Sequence, residues 1–345
     1  MYRPTIVRDL LLLVVLTLSS TSHAKDMPAV FDQVVHSVVE IQVKQLIITG
    51  TTEKQPALIA SQGSGVVVSN DGKIITVAHL VQSADKITVQ VGSEDSIPAR
   101  VIASEPAADI ALLQLERIPA GMSHAELGNS DEVKTGEQVF IVGAPYGLHP
   151  TVTVGHISGR HPPQSPFGPF QPNEMFQTDA GMHQGSSGAP LFNMNGKVIG
   201  IATQVLITGG NFEGLGFAVT ANTAKALLLE RRSLWTGIEC YQLSGGVAQA
   251  LNLPQSTGLL VQRIASHSPG SKLALQAGTA PATVGEEAFI LGGDVILAMQ
   301  GVSLADEHGY ERARAALAAL KDGEVLHFTI LRAGKRLELR APVSR

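Results

Sequence analysis

The sequence predicts a mainly β protein, built from closed barrels or sandwiches and followed by a smaller mixed α/β domain. Three observations carry that reading. At 345 residues the chain exceeds the usual span of one compact domain. Its 35 glycines and only 4% aromatics favour a turn-dense sheet protein over a helical bundle. Short apolar or alternating runs, separated by Gly, Asn and Asp turns, fill the first two thirds, and helix-like segments mix with strands only after Arg231-Arg232-Ser233.

Composition removes several classes. Hydrophobic residues at 44% against 16% charged supply ample core material, which excludes intrinsic disorder. A net charge of −5 without a Lys/Arg block leaves no electrostatic footprint for nucleic acid. One cysteine, Cys240, permits neither an internal disulfide nor a Cys-based zinc cage.

Taken in order, the chain opens with Arg3 and Arg8 ahead of an apolar run over 10–18, then Ser22-His23-Ala24. This is the layout of a cleavable signal peptide over residues 1–24, giving a mature chain outside the cytoplasm, periplasmic or secreted. The apolar run falls short of the roughly 20 residues that cross a bilayer, and no later segment reads as a stable span. A helix is expected over 28–38. Residues 65–76 read as a hairpin turned by Asp71-Gly72 in a type I′ geometry. Residues 86–91 alternate as a half-buried strand, and 110–115 and 139–142 read as buried strands. Residues 160–174 hold five prolines and are expected as a long loop. A second hairpin over 191–199 turns at Asn195-Gly196, and 221–230 reads as a helix. The junction at Arg232 then divides a domain of 25–232 from one of 233–345. The latter shows strands at 258–264 and 294–299, helices at 271–277 and 310–320, and a last hairpin at Ala333-Gly334. Residues 279–290 read as an insertion.

Three polar residues stand where a β protein places them for cause. His79 follows an apolar strand, Asp109 sits at the mouth of a buried strand, and Ser187 lies in the Gly-flanked turn Gly185-Ser186-Ser187-Gly188. A serine nucleophile needs such a turn, because glycines let the backbone aim N–H groups at a substrate carbonyl. It also needs an imidazole to take the hydroxyl proton and a carboxylate to orient that ring. Asp179 competes for the acid role. The chain order His, Asp, Ser belongs to double-β-barrel proteases, which agrees with the strand pattern and favours Asp109.

Six motifs occur in sequence: Gly63-Ser64-Gly65-Val66, Thr76-Val77-Ala78-His79, Asp109-Ile110-Ala111-Leu112, Gly143-Ala144-Pro145-Tyr146-Gly147, Gln177-Thr178-Asp179-Ala180 and Gly185-Ser186-Ser187-Gly188. Together they resemble the HtrA/Deg family of trypsin-like serine endoproteases with a C-terminal PDZ domain, from about residue 28 to 343. The resemblance implies a trypsin-like double β-barrel, with His79 as base, Asp109 as orienting acid and Ser187 as nucleophile. It assigns the oxyanion hole to the N–H groups of Gly185 and Ser187. It implies ATP-independent hydrolysis of unfolded or damaged polypeptides in protein quality control and stress response, with no cofactor and no metal. Trimer-based assembly through the N-terminal segment, near Phe31, also follows by analogy. Ser186 and Ala189 depart from the family's usual Asn and Gly, and His156 stands where an apolar residue is usual. His149, His156 and His161 show no metal-ligand spacing. Gly181, six residues before Ser187, occupies the base of the specificity pocket, so cleavage after small or medium aliphatic residues is expected.

Gly292-Gly293-Asp294-Val295-Ile296, Gly258-Leu259-Leu260-Val261 and Ser268-Pro269-Gly270-Ser271 resemble a PDZ core. By that resemblance Trp235, Thr236, Gly237 and Ile238 form the loop that receives a peptide C-terminus, with the helix at 310–320 as the other wall. Thr236 departs from the usual apolar residue. Two rival functions remain at this stage: a chaperone or scaffold with an idle protease fold, and a dedicated signalling protease with one folded target.

Overall fold

The structure, a computed structural model, describes residues 26–343 apart from 50–54, 93–95, 145–149, 164–172, 209–210, 232, 285–286 and 306–307. The expected signal segment, most of the proline-rich stretch and His149 therefore lie outside the described residues.

Helix α1 (Met27–Val34) carries Pro28 in its first turn, where a missing N–H costs nothing, and buries Val30 and Val34. The first barrel follows: β1 (Val38–Thr49), β2 (Gln55–Val67), β3 (Lys73–Thr76), the one-turn helix α2 (Ala78–Val81), β4 (Lys86–Gln90), β5 (Ile97–Glu105) and β6 (Ile110–Leu115). It closes in the order β1-β2-β3-β6-β5-β4, with β4 pairing back onto β1. The second barrel comprises β7 (Gln138–Gly143), β8 (Thr151–His161), β9 (Met175–Thr178), β10 (Pro190–Asn193), β11 (Val198–Thr208) and β12 (Asn211–Thr220). Its closed order, read from β7, is β7-β8-β9-β12-β11-β10, so both barrels repeat one topology.

Period-two alternation places the cores. In β5, Ile97, Ala99 and Val101 turn inward while Pro98 and Arg100 face water. Val39, Ile41, Ile74, Val89 and Leu113 fill the first barrel, and Val139, Ile141, Phe176 and Leu191 fill the second. A third cluster joins the barrels, with Val66 and Ile110 of the first packed together with Phe140 and Phe192 of the second. Those two rings stack at 5.3 Å.

The turn at Asp71-Gly72 differs from the expected type I′ geometry. Only Gly72 has positive φ (82°), and its N–H donates to Ser69 O at 3.2 Å. Ser69 Oγ also accepts Lys73 N–H at 3.0 Å. A local side chain thus competes for the backbone and lengthens the connection, leaving one left-handed glycine at its end.

Beyond β12 the chain enters helix α3 (Ala221–Ala224), whose wider continuation runs over Lys225–Glu230. Next come β13 (Ile238–Leu243), α4 (Gly245–Ala250), β14 (Gly258–Ile264), β15 (Ala280–Val284), β16 (Glu287–Leu291), β17 (Val295–Met299), β18 (Val302–Ser303), α5 (Gly309–Ala318), β19 (Val325–Arg332) and β20 (Lys335–Pro342). They build a sheet ordered β13-β14-β17-β19-β20 with β18 on β17, so β13 is an edge strand. Ala333 and Gly334, both at positive φ (47° and 77°), form the two-residue turn between β19 and β20. The expected helix at 271–277 is shorter. A 3₁₀ turn over Gly270–Leu273 stops at left-handed Ala274, because Asp294 takes Gln276 N–H and Arg332 Nη2 donates to Ala274 O. The insertion is the β15–β16 hairpin, tied to β14 by Gln262, whose carboxamide both donates to Ile290 O (3.2 Å) and accepts Ile290 N–H (2.6 Å).

Candidate active site

Strand pairing brings His79 to Asp109. β3 and β6 are antiparallel neighbours with Thr76 opposite Ala111, so the chain leaving β3 lies beside the chain entering β6. His79 rides on α2 rather than on the strand end. Asp109 follows a 3₁₀ turn (Pro106–Ala108) and adopts the left-handed region at φ 52°, a conformation that a short polar side chain tolerates. Its carboxylate grips His79 twice. Oδ2 lies 2.8 Å from Nδ1, and Oδ1 accepts the His79 backbone N–H at 2.9 Å. A carboxylate offers only lone pairs, so Nδ1 carries the proton and Nε2 keeps its lone pair free. Withdrawal from water presses the imidazolium down. The Asp109 hydrogen bond, its charge and the charge of Glu239 outweigh that, and the His79 pKa is raised above its ordinary 6.5. The rival acid Asp179 lies elsewhere: its Oδ1 accepts His156 N–H at 2.5 Å. His161 Nε2 meets Gln177 Oε1 at 3.0 Å.

Ser187 sits in a turn that folds against β2. Ser186 N–H donates to His183 O at 2.8 Å. Among the turn's central residues only Gly185 has positive φ (95°), which is the type II geometry and requires glycine there. Gly188, at φ 85°, is equally constrained: an added Cβ would lie 2.1 Å from Ser64 O. Among the described residues no protein acceptor takes the N–H of Gly185 or of Ser187, although Gly185 is buried. Ser64 N–H donates to Ser187 O at 2.8 Å. A Cβ at Gly63 would meet both Ser187 O (2.9 Å) and Leu80, the residue after His79. The serine turn and α2 therefore flank one stretch of β2. Among the described residues no hydrogen bond joins Ser187 Oγ to the His79 ring, and the serine is held through its backbone. Such bonds are commonly loose before substrate arrives.

The two departures from the family pattern are accommodated locally. Ser186 Oγ accepts His183 N–H at 3.1 Å and closes the turn. Ala189 is fully buried, and its Cβ uses space that Gly143 leaves open. Gly181, expected at the pocket base, has its carbonyl oxygen accepting Thr153 Oγ1–H at 2.8 Å. Met182 is buried with Ala180, Ala202 and Ala218, and its Sδ and Cε pack over Gly216.

A cavity of about 1140 Å³ runs from His79 and Asp109 to the C-terminal sheet, where Thr236, Ile238, Cys240, Tyr310 and Arg314 line it. Polar contacts cross it. Gln82, one residue beyond α2, donates from Nε2 to Ile238 O at 2.9 Å and accepts Trp235 Nε1–H on its backbone oxygen at 2.9 Å. Ser104 Oγ–H holds the Gln82 carboxamide oxygen at 2.6 Å. Ser83 Oγ–H donates to Glu239, and Arg314 on α5 pairs with Glu105 at the end of β5. Of the expected peptide loop, Gly237 (φ 72°) faces Ser268 too closely for any Cβ, and Thr236 O accepts Gly270 N–H at 2.8 Å. Sequence reasoning missed Ser64, Gln82, Glu105 and Arg314. No local sequence pattern marks their roles.

Comparison with known proteins identifies relatives of the chain. The family model described as "Trypsin-like peptidase domain" matches residues 63–201. A "Probable periplasmic serine endoprotease DegP-like" of Ectopseudomonas mendocina is 31% identical over 82% of this chain and 56% of its own length. A relative of the same description from Hahella chejuensis is 35% identical over 65% of this chain and 48% of its own length. The chain thus spans about half the length of the curated relatives it matches. Among solved structures, "HtrA-type protease AlgW with tripeptide" superposes with TM-score 0.51 at 24% identity, covering 91% of this chain and 95% of that one. A serine-to-alanine variant of that protease with decapeptide gives 0.54 at 24% identity, with 91% and 96% covered. At that identity the superposition speaks for the fold, while the sequence relatives speak for descent. On the strength of those relatives the chain belongs to the HtrA/Deg family of trypsin-like serine proteases.

Proposed function

We propose that this protein is an ATP-independent serine endopeptidase that works in the periplasm, or is secreted, and hydrolyses unfolded or damaged polypeptides. The observation that carries the reading is the double grip of Asp109 on His79, beside a glycine-flanked serine whose turn leaves two N–H groups unclaimed. Ser187 Oγ attacks the scissile carbonyl as His79 Nε2 takes its proton. The N–H groups of Gly185 and Ser187 receive the developing oxyanion, and Asp109 stabilises the imidazolium. His79 then returns the proton to the departing amine. It next activates the water that releases the acyl group. The site calls for neither metal nor organic cofactor. The relatives' periplasmic description and a leader over residues 1–24 support the location.

Gly181 brings no carboxylate to the expected pocket base, and the neighbouring Met182 and Ala180 are apolar. These features support cleavage after small or medium aliphatic residues. A peptide library demanding Lys or Arg there would overturn that preference. Residues 233–345 act as a PDZ domain, with Trp235, Thr236, Gly237 and Ile238 receiving a peptide C-terminus and edge strand β13 pairing with it. Residues 25–232 form the protease domain, and assembly is trimer-based through the N-terminal segment near Phe31.

Wild-type protein should react with a fluorophosphonate probe and digest unfolded casein, with both activities lost in Ser187→Ala. The expected fall in turnover is about a millionfold. Absence of labelling by wild type, even with C-terminal peptides present, would favour a chaperone with an idle site. Efficient labelling without casein digestion would favour a dedicated signalling protease.

A further inference from the structure

We infer that Ser64, a fully buried residue on β2, is a positioning residue that holds the oxyanion hole in its open form. The inference rests on the catalytic reading above. Ser64 spends every hydrogen-bonding group it has on the seam between the barrels. Its Oγ–H donates to Gly185 O at 2.8 Å, and the same oxygen accepts Ala144 N–H at 3.0 Å. Its backbone N–H donates to Ser187 O at 2.8 Å, and its carbonyl accepts Thr76 Oγ1–H at 2.8 Å.

The geometric consequence lies in which peptide planes are anchored. The Ser187 N–H belongs to the peptide between Ser186 and Ser187. The planes on either side of it carry the Gly185 and Ser187 carbonyls, and Ser64 holds both of them. A peptide bracketed by two anchored planes cannot rotate its N–H away unless one anchor lets go. The Gly185 N–H sits one plane further back, in a type II turn. Rotating that plane to the type I alternative requires a negative φ at Gly185, which disturbs the carbonyl fixed by the Ser64 hydroxyl. The hydroxyl thus biases the turn toward the form in which both N–H groups stay unclaimed. Because Ala144 follows β7 and Thr76 ends β3, Ser64 ties the nucleophile's turn to strands of both barrels, to β7 through its hydroxyl and to β3 through its carbonyl.

In Ser64→Ala the Gly185 carbonyl and the Ala144 N–H lose their partner, while His79 and Asp109 keep theirs. The expected result is a kcat about ten- to a hundredfold lower with KM nearly unchanged, less than the loss from deleting a hole donor outright. Affinity for a peptide boronate, which mimics the tetrahedral adduct, should fall in parallel. Affinity for the corresponding product peptide should not, and the acid limb of the pH profile should stay in place. Ser64→Thr, which keeps the hydroxyl, should restore kcat, and Ser64→Cys, close in volume but a poor donor, should not. Amide hydrogen exchange over residues 183–188, measured by mass spectrometry, supplies a readout that needs no turnover. Exchange should quicken in the Ala and Cys variants and return to the wild-type rate with Thr. An unchanged exchange rate, or a Thr variant as impaired as Ala, would overturn the positioning role. Wild type that neither turns over nor labels would instead remove the catalytic reading itself. If Ser64→Ala does not fold, the Thr and Cys pair alone decides.

Discussion

The proton transfer proposed for His79 has a pH window set by the groups around the ring. The ring must be neutral to act as base, and its pKa is raised, so the acid limb of kcat/KM should have its midpoint above 6.5. The sign for stability agrees: the pair's contribution is complete below the unfolded value and is lost as pH rises through the folded one. Glu239 supplies part of that upward push, so Glu239→Gln should move the limb to lower pH, and a stationary limb would discount its charge. Gly188→Ala tests the turn itself. The backbone oxygen of Ser64 stands in the way, so the variant should lose fluorophosphonate labelling and roughly 2–4 kcal/mol of stability by urea unfolding. His79, Asp109 and Ser187, the proposed triad, stand out in the sequence because each interrupts an apolar or glycine-rich run with a polar group. Ser64 and Gln82 do not. Their roles arise from partners 121 and 156 residues away, which no local pattern announces.

Among the elements, those whose periodicity is strong emerged from the sequence nearly residue for residue: β4, β6, β7, β14, β17 and α5. Misjudged elements turn on details that periodicity does not register. The Asp71-Gly72 connection yielded to Ser69, the helix after Pro269 yielded to Asp294 and Arg332, and the histidine expected at a strand end sits on a one-turn helix. The contact between α5 and the end of β5 offers an element-level test. Glu105 is only 6% exposed and Arg314 only 19%, and burial lowers the Arg314 pKa to about 10. Arg314→Ala strands a buried carboxylate immediately before the turn that presents Asp109. A loss of about 3 kcal/mol in urea unfolding is expected, with much of it recovered by changing Glu105 to Leu as well. No recovery in the double variant would mean that the pair is not the source of the loss.

At the scale of the molecule, two barrels of one topology share a core, and a third sheet docks against the helix that carries the proposed base. The sequence pointed to the barrels through strand density and triad order, and to the change of character after residue 232. It gave no sign that Gln82 would reach the edge of β13. That contact occupies the Ile238 carbonyl, which a peptide adding to this edge would need for its own N–H. Gln82→Ala should therefore tighten binding of a labelled C-terminal peptide severalfold by fluorescence anisotropy. Equal or weaker binding would show that the carboxamide does not compete.

The chain's lone thiol gives that cavity a built-in gauge. Cys240 faces it from β13, and burial, followed by the charge of Glu239, pushes its ionisation well above the ordinary thiol range. Maleimide dyes should stain the resting protein sluggishly. A brisker reaction on adding peptide, or in Gln82→Ala, would time the separation of sheet and barrel, with no label to engineer.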